Sequence, residues 1–150
     1  MITVRKCTVA EIEQQDTFWA LLSAYADECK LDGLPEPAPK METYKLIEMS
    51  GTFNLFGAFQ DDTLVGFVVL MIPVLPHYGV YVAIAESMFV AKPFRSSGAG
   101  LALIRAAEKA ARAAKSPAIL FTAPVGGDFI KVLPGLKYRE TNRIFMKDLK

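Results

Sequence analysis

The stretch Glu86-Ser-Met-Phe-Val-Ala-Lys-Pro-Phe-Arg-Ser-Ser-Gly-Ala-Gly100 decides the fold, because an apolar strand runs into a short turn that opens a helix. The first amides of a helix have no partners within it and lie at the positive end of its dipole. Gly98 and Gly100 have no side chains, so a ligand can approach the backbone closely there. The turn also supplies a positive charge and two hydroxyl donors, from Arg95, Ser96 and Ser97. The stretch therefore predicts a turn that holds a phosphate or pyrophosphate group.

Three phosphate-binding motifs compete for this turn. A Walker A loop needs Lys followed by Ser or Thr after its last glycine, and Leu101-Ala102 stands there instead. A dinucleotide-binding fingerprint needs Gly or Ala where Leu103 stands, and an acidic residue about 20 positions later, where the chain is apolar. The pattern Arg-x-x-Gly-x-Gly matches residues 95–100 at each of its fixed positions. A glycine-rich turn that only starts a helix remains the alternative.

The chain before this stretch predicts a strand, two helices and a hairpin. Residues 2–7 alternate as a strand, and Thr8 with Glu11 has the spacing of a capping box that starts a helix near Val9. That helix has one apolar face, made of Ile12, Phe18, Trp19, Leu22, Tyr25, Ala26 and Cys29. A proline-rich loop over 34–39, a helix over 41–49, and strands over 53–60 and 64–72 follow.

The rest of the chain predicts further strands around one long helix. Residues 79–90 form a strand, and 99–115 form a helix with an apolar stripe of Leu101, Ile104, Ala107, Ala111 and Ala114. A buried strand over 118–122, a short helix capped by Asp128, and a last hairpin of 136–141 and 143–149 complete the order. This order predicts an α+β fold in one domain, residues 1–150, with helices covering a central sheet.

Composition excludes several classes of protein. The 150 residues carry 17 Lys and Arg against 16 Asp and Glu, a net charge of +1, which argues against a protein that coats nucleic acid. With two cysteines and one histidine, the chain lacks the residues for a disulfide framework or a Cys/His zinc site, so we expect no metal and a reducing, cytoplasmic location. The uncharged run 64–85 is broken by prolines, which favours two strands over a membrane span.

Residues 90–103, Val-Ala-Lys-Pro-Phe-Arg-Ser-Ser-Gly-Ala-Gly-Leu-Ala-Leu, resemble the acyl-CoA motif of the GNAT superfamily of N-acetyltransferases. The resemblance implies a mostly antiparallel sheet with a splayed parallel strand pair. It also implies that acetyl-CoA is the co-substrate, with its pyrophosphate on Arg95, Ser96, Ser97, Gly98, Ala99 and Gly100. The backbone of Met88, Phe89 and Val90 would then pair with the pantetheine arm, and the N–H group of Phe89 or Val90 would be the oxyanion donor.

The same resemblance implies acetyl transfer to a primary amine, in a small molecule or a peptide, by direct attack in a ternary complex. Glu86, four residues before Val90, is the expected base. The tyrosine that commonly acts as general acid in the family is absent, and Lys131 stands at its position. Either Lys131 or a water protonates the thiolate, or the leaving group needs no acid. This departure leaves open a non-catalytic acyl-CoA-binding module. We also expect residues 32–39 and 73–79 to wall the acceptor site, with four acidic residues nearby: Asp27, Glu28, Asp32 and Glu36. We expect no nucleic-acid or membrane partner. A homodimer is possible.

Overall fold

The computed structural model describes residues 1–149, so Lys150, the last residue of the expected domain, lies outside them. The strands are β1 (Ile2–Cys7), β2 (Phe53–Gln60), β3 (Thr63–Met71), β4 (Val74–Leu75), β5 (Val80–Tyr81), β6 (Ala83–Val90) and β7 (Ile119–Phe121). The helices are α1 (Val9–Glu13), α2 (Phe18–Cys29), α3 (Met41–Met49), α4 (Ala99–Ala113) and α5 (Phe129–Val132), with 3₁₀ turns at Lys92–Ser97 and Leu133–Leu136.

Five strands form one sheet in the order β1-β2-β3-β6-β7, and β4 pairs with β5 in a separate hairpin. All neighbours in the large sheet are antiparallel except β6 and β7, which are parallel. The parallel register runs only from Ala83↔Ile119 to Ala85↔Phe121, so the last five residues of β6 extend beyond β7. The predicted fold class, with its splayed parallel pair, is confirmed.

Helices cover both faces of the large sheet and bury two apolar clusters. α1, α2 and α3 lie on one face, where Val9, Ile12, Phe18 and Leu21 pack against the inward side chains of β2 and β3. α4 lies on the other face and packs Ala99, Leu103, Ala107 and Ala111 against Val65, Val68 and Leu70. Within residues 1–149 no helix is both long and apolar enough to span a bilayer.

The predicted first helix is in fact two helices. The capping box of Thr8 and Glu11 forms as predicted, with both reciprocal hydrogen bonds present. The chain turns between α1 and α2, where Thr17 donates its hydroxyl to the carbonyl of Leu64 at 2.7 Å. Trp19 is therefore 54% exposed instead of part of one continuous apolar face, and its ring lies edge-on to Phe18.

The apolar stripe of α4 differs from the predicted one by a rotation of the helix. Its buried residues are Ala99, Leu103, Ile104, Ala107 and Ala111, whereas Leu101 is 37% exposed and Ala114 follows the helix end. Ala99, Leu103, Ala107 and Ala111 follow one another at steps of four residues, and this row is the face that packs against β3.

The strand predictions at the end of the chain are partly wrong. The run 79–90 splits into β5 and β6 at Val82, and β7 is only three residues long and half-exposed instead of buried. The predicted hairpin of 136–141 and 143–149 does not form, since residues 138–149 contain no strand. Tyr138 instead donates a hydrogen bond of 2.8 Å to Glu108, which fixes the start of the tail to α4.

Candidate active site

Glu86 occupies an irregular position in β6. Val69 of β3 faces Ser87 and the next residue, Leu70, faces Ala85, so Glu86 is the extra residue of a β-bulge. A bulge turns a side chain out of the regular alternation, and Glu86 accepts a hydrogen bond of 3.1 Å from the hydroxyl of Tyr44 on α3. The bulge also marks where β7 ends beside β6. A carboxylate therefore stands where the sheet opens.

A cavity of about 570 Å³ lies above Glu86, on the sheet face that carries α1, α2 and α3. Its floor comes from β2, β3 and β6, and its walls come from the helices and the loop 31–39. The ionisable or hydroxyl-bearing side chains in the lining are Tyr25, Cys29, Lys30, Tyr44, Glu86 and Ser87. The volume is within the range of small-molecule sites.

Two tyrosines in the cavity keep their protons. Burial, with contributions from Cys29 and Glu86, raises the pKa of Tyr25 to about 12. Burial and the neighbouring Glu86 carboxylate raise the pKa of Tyr44 above its usual value of 10. Tyr44 therefore acts as a hydrogen-bond donor to Glu86 at neutral pH. Sequence reasoning placed Tyr25 on the apolar face of its helix and gave Tyr44 and Ser87 no role, because no local pattern links them to Glu86.

The glycine-bearing turn enters α4 through a 3₁₀ segment. Gly98 has φ +88° and ψ −1°, a left-handed conformation that a side chain disfavours. Ser97 donates its hydroxyl to the carbonyl of Phe94 and accepts from the amide of Ala99 at 3.3 Å. The first hydrogen bond of α4 runs from the amide of Ala102 to the carbonyl of Gly98. The amides of Gly100 and Leu101 come before it and have no acceptor within the helix. Ser96 is exposed beside them.

The end of β6 lies next to this turn. The amide of Ala91 donates to the carbonyl of Val65 at 2.9 Å. In an antiparallel pair of strands, opposite residues alternate between hydrogen-bonded and non-hydrogen-bonded pairs. By that alternation the Phe89 backbone pairs with Phe67, while the backbones of Met88 and Val90 face the side where β7 has ended. Of the three residues predicted to pair with pantetheine, two have backbone groups in the gap.

Arg95 ties the turn to α2. Its guanidinium donates to Glu28 at 2.7 and 2.9 Å and to the carbonyl of Val90 at 2.9 Å, and it lies 5.3 Å from the centre of the Phe89 ring. Lys92 is 3.6 Å from the same Glu28 carboxylate. Glu28 is thus occupied by two cations of the turn, and it does not line the cavity.

Lys131 lies apart from Glu86. It is on α5, 72% exposed, and its ammonium is 3.1 Å from Asp128. Neither it nor Tyr138 lines the cavity. Burial and Glu108 raise the pKa of Tyr138 above 10, so this tyrosine is held protonated by a bond to α4.

Of the two segments expected to wall the acceptor site, one lines the cavity and the other does not. Residues of the loop 31–39 line the cavity, and none from 73–79 does, because β4 and β5 form a separate hairpin. His77 and Tyr78 stack edge-to-face at 5.2 Å in that hairpin's turn. Asp27 and Asp32 are also outside the lining, and Glu36 pairs with Lys30 at 3.1 Å.

Several solved structures similar to this one are acetyltransferases. A ribosomal-protein-alanine N-acetyltransferase from Brucella melitensis has a TM-score of 0.73 at 18% identity, covering 98% of both chains. An aminoglycoside acetyltransferase, HMB0005, from an uncultured soil metagenomic sample has a TM-score of 0.77 at 17% identity, covering 100% of this chain and 99% of its own. At these identities the similarity shows the fold alone.

A third structure, AAC(6')-Iy in complex with a CoA bisubstrate analogue, has a TM-score of 0.75 at 21% identity, covering 98% of this chain and 97% of its own. No curated protein matches the sequence. The family model described as the acetyltransferase (GNAT) family matches residues 16–125, a range that includes Glu86 and the whole glycine-bearing turn. Because this match covers well over half of the chain, the protein belongs to the GNAT family of acetyltransferases, enzymes that transfer an acetyl group to an amine.

Proposed function

We propose that the chain moves an acetyl group from acetyl-CoA to a primary amine by direct attack in a ternary complex, with Glu86 as the base. The observation that carries this proposal is the position of Glu86, in a bulge at the cavity floor and beside the point where β6 and β7 separate. An amine in the cavity can meet an acyl group held in the gap only at that point. Nothing observed favours the non-catalytic alternative.

The turn before α4 fits the pyrophosphate of coenzyme A. Ideal Cβ positions at Gly98 and Gly100 meet no atom closer than 3.9 Å, so the absence of side chains leaves open space over the helix amides. The donors that we propose for the pyrophosphate are the guanidinium of Arg95, the hydroxyl of Ser96 and the amides of Gly98 and Gly100. Ser97 and Ala99 instead shape the turn, because the Ser97 hydroxyl donates to Phe94 and the Ala99 amide donates to Ser97. The backbone of Met88 would pair with the pantetheine arm, and that of Phe89 would hold the strand to β3. The carbonyl of Val90 accepts from Arg95, so only its amide is left for the acyl group.

Acetyl-CoA supplies an activated carbonyl and a good leaving group. Glu86 accepts a proton from the amine as its nitrogen forms the new bond to that carbonyl and the carbon–sulfur bond breaks. The amide of Val90 faces the gap and is the candidate donor to the carbonyl oxygen. Because Lys131 is exposed and distant from the cavity, we propose that water protonates the departing thiolate.

We further propose a reducing cytoplasm as the location, supported by the two unpaired thiols, Cys7 and Cys29. The homodimer also stays a proposal. The exposed apolar side chains of the tail support it, since Ile144, Phe145 and Leu149 are 83%, 90% and 90% exposed.

The test is steady-state thiol release from acetyl-CoA with a panel of primary amines, for the wild type and Glu86→Gln. We expect Glu86→Gln to reduce turnover by about 100-fold or more while coenzyme A affinity, measured by calorimetry, is unchanged. Glu140→Gln, a charge loss in the exposed tail, is the matched control and should keep full turnover. Equal rates in Glu86→Gln and the wild type would remove Glu86 as the base. Coenzyme A binding without amine-dependent thiol release would support the alternative, a non-catalytic acyl-CoA-binding module.

A further inference from the structure

The cavity above Glu86 is apolar on nearly every side. Its walls include Leu22, Leu31, Leu34, Pro35, Pro37 and Met41, and its floor includes Phe53 and Phe67. Among residues 1–149, Glu86 is the only carboxylate in the lining, and Lys30 is the only cation. Such a lining stabilises an apolar substituent, at roughly 25 cal/mol for each Å² removed from water.

The other acidic residues near the cavity, Asp27, Glu28, Asp32 and Glu36, do not line it. Glu28 is bound to Arg95 and Lys92, and Glu36 is bound to Lys30 at the rim. Because Lys30 and Glu36 pair, together they present no net charge that would attract a further ammonium. A buried cation without a partner is strongly disfavoured, so a polyamine in this cavity would leave its additional charges unpaired.

From this lining we infer that the acceptor is a small monoamine, a single primary amine carried on an apolar alkyl or aryl group. The inference rests on the proposed function and names its substrate class. The amine would meet Glu86 beneath the hydroxyl of Tyr44, and the apolar group would lie between α2, α3 and the loop 31–39. One carboxylate matches one ammonium. Apart from Lys30 and the hydroxyl or thiol groups of Tyr25, Cys29, Tyr44 and Ser87, the rest of the lining offers apolar or aromatic contacts.

The decisive comparison is hexylamine against hexamethylenediamine, which have the same length and differ by one terminal ammonium. We expect kcat/KM for thiol release to be about tenfold or more higher for hexylamine. Across propyl-, butyl-, pentyl- and hexylamine, kcat/KM should rise by up to about fourfold for each added methylene. The polycation kanamycin should be the poorest of these acceptors.

A variant tests the wall directly. Leu34 lines the cavity and is 58% exposed, so Leu34→Asp should fold and should narrow the gap between the two C6 amines by several-fold. Leu46→Asp is the matched control, because Leu46 is 69% exposed on α3 and does not line the cavity. Coenzyme A affinity should be the same in both variants.

The outcomes separate the acceptor class from the activity. If hexamethylenediamine or kanamycin equals or exceeds hexylamine, the enzyme is active and the monoamine inference is overturned. A leucine-initiated peptide that is acetylated faster than hexylamine overturns it as well, in favour of a peptide acceptor. Absence of thiol release with every amine, despite coenzyme A binding, overturns the proposed function and the inference together.

Discussion

The hydroxyl of Tyr44 and the carboxylate of Glu86 are joined by a hydrogen bond of 3.1 Å across 42 residues of sequence. Tyr44 belongs to α3 and Glu86 to the bulge of β6, so the bond links the helix layer to the sheet at the cavity floor. Because burial and Glu86 raise the pKa of Tyr44, the tyrosine donates this bond throughout the neutral range. The arrangement makes Tyr44 a positioning residue for the proposed base.

Tyr44→Phe should lower kcat/KM by roughly threefold to tenfold, because the carboxylate loses a donor that fixes its orientation and a bond to a charged group is worth about 1.5–3 kcal/mol before exposure weakens it. Coenzyme A affinity should not change. Tyr78→Phe, in the exposed turn of the β4–β5 hairpin, is the control. A Tyr44→Phe enzyme as active as the wild type would deny the positioning role.

Gly98→Ala and Gly100→Ala should separate backbone strain from ligand contact. Gly98 has φ +88°, so alanine there costs about 1–2 kcal/mol and should lower Tm by several degrees. At Gly100 the added Cβ would lie 3.9 Å from Met88 and Val90, an ordinary contact, so Tm should hold. Both variants should bind coenzyme A more weakly by calorimetry. If a folded Gly100→Ala protein bound coenzyme A with wild-type affinity, the pyrophosphate would not bind at the start of α4.

Arg95→Ala should weaken coenzyme A binding by about tenfold, because the turn loses a cation and its bonds to Glu28 and Val90. Glu28→Gln should have a smaller effect, about twofold to threefold, since an exposed ion pair contributes little. Arg112→Ala, which breaks an exposed pair with Glu108 further along α4, is the matched control. If Arg95→Ala and Glu28→Gln bind coenzyme A as tightly as the wild type, the turn does not hold the pyrophosphate through Arg95.

Lys131→Ala should reduce turnover by roughly tenfold at most, below the usual range for acid–base assistance, because the thiolate is a good leaving group. The side chain is exposed and bonded to Asp128, away from the cavity. Lys109→Ala, on α4, controls for the loss of one positive charge. A thousandfold loss of thiol release with unchanged circular dichroism would make Lys131 the general acid.

Stability should fall above pH 10. The folded pKa values of Tyr25, Tyr44 and Tyr138 all lie above the unfolded value of 10, so folding favours their neutral forms. Their contribution is complete below pH 10 and is lost as the pH rises through the folded values. Urea unfolding followed by circular dichroism should show this decline, and Tyr138→Phe should make it shallower. Tyr138→Phe should also lower the free energy of unfolding by about 1 kcal/mol at neutral pH, because the hydrogen bond to Glu108 is lost. A free energy of unfolding that is flat to pH 12 would contradict the buried-tyrosine argument.

Local pattern was enough to predict the elements whose signals are short-range. The Thr8–Glu11 capping box, the hairpin around Asp61 and Asp62, and the start of α4 after Gly98 all follow from residues within a few positions of one another. The glycine-bearing turn indicated the family for the same reason, because the motif is contiguous. The prediction of a terminal hairpin was wrong. Tyr138, in its expected first strand, is bound to Glu108 on α4, a contact between distant residues that local pattern does not reveal.

Only the tertiary structure decided how the site is assembled. The bulge that turns Glu86 toward the cavity depends on the register of β3 against β6, which neither strand encodes alone. Tyr44 reaches Glu86 because α3 packs on the same face of the sheet, and Glu28 is removed from the acceptor site because Arg95 binds it across 67 residues. The sequence by itself determined the glycine-bearing turn and the family, since local backbone preferences act over a few residues. The apolar cavity and the partner of the proposed base exist only after distant segments have been brought together by burial of the two cores.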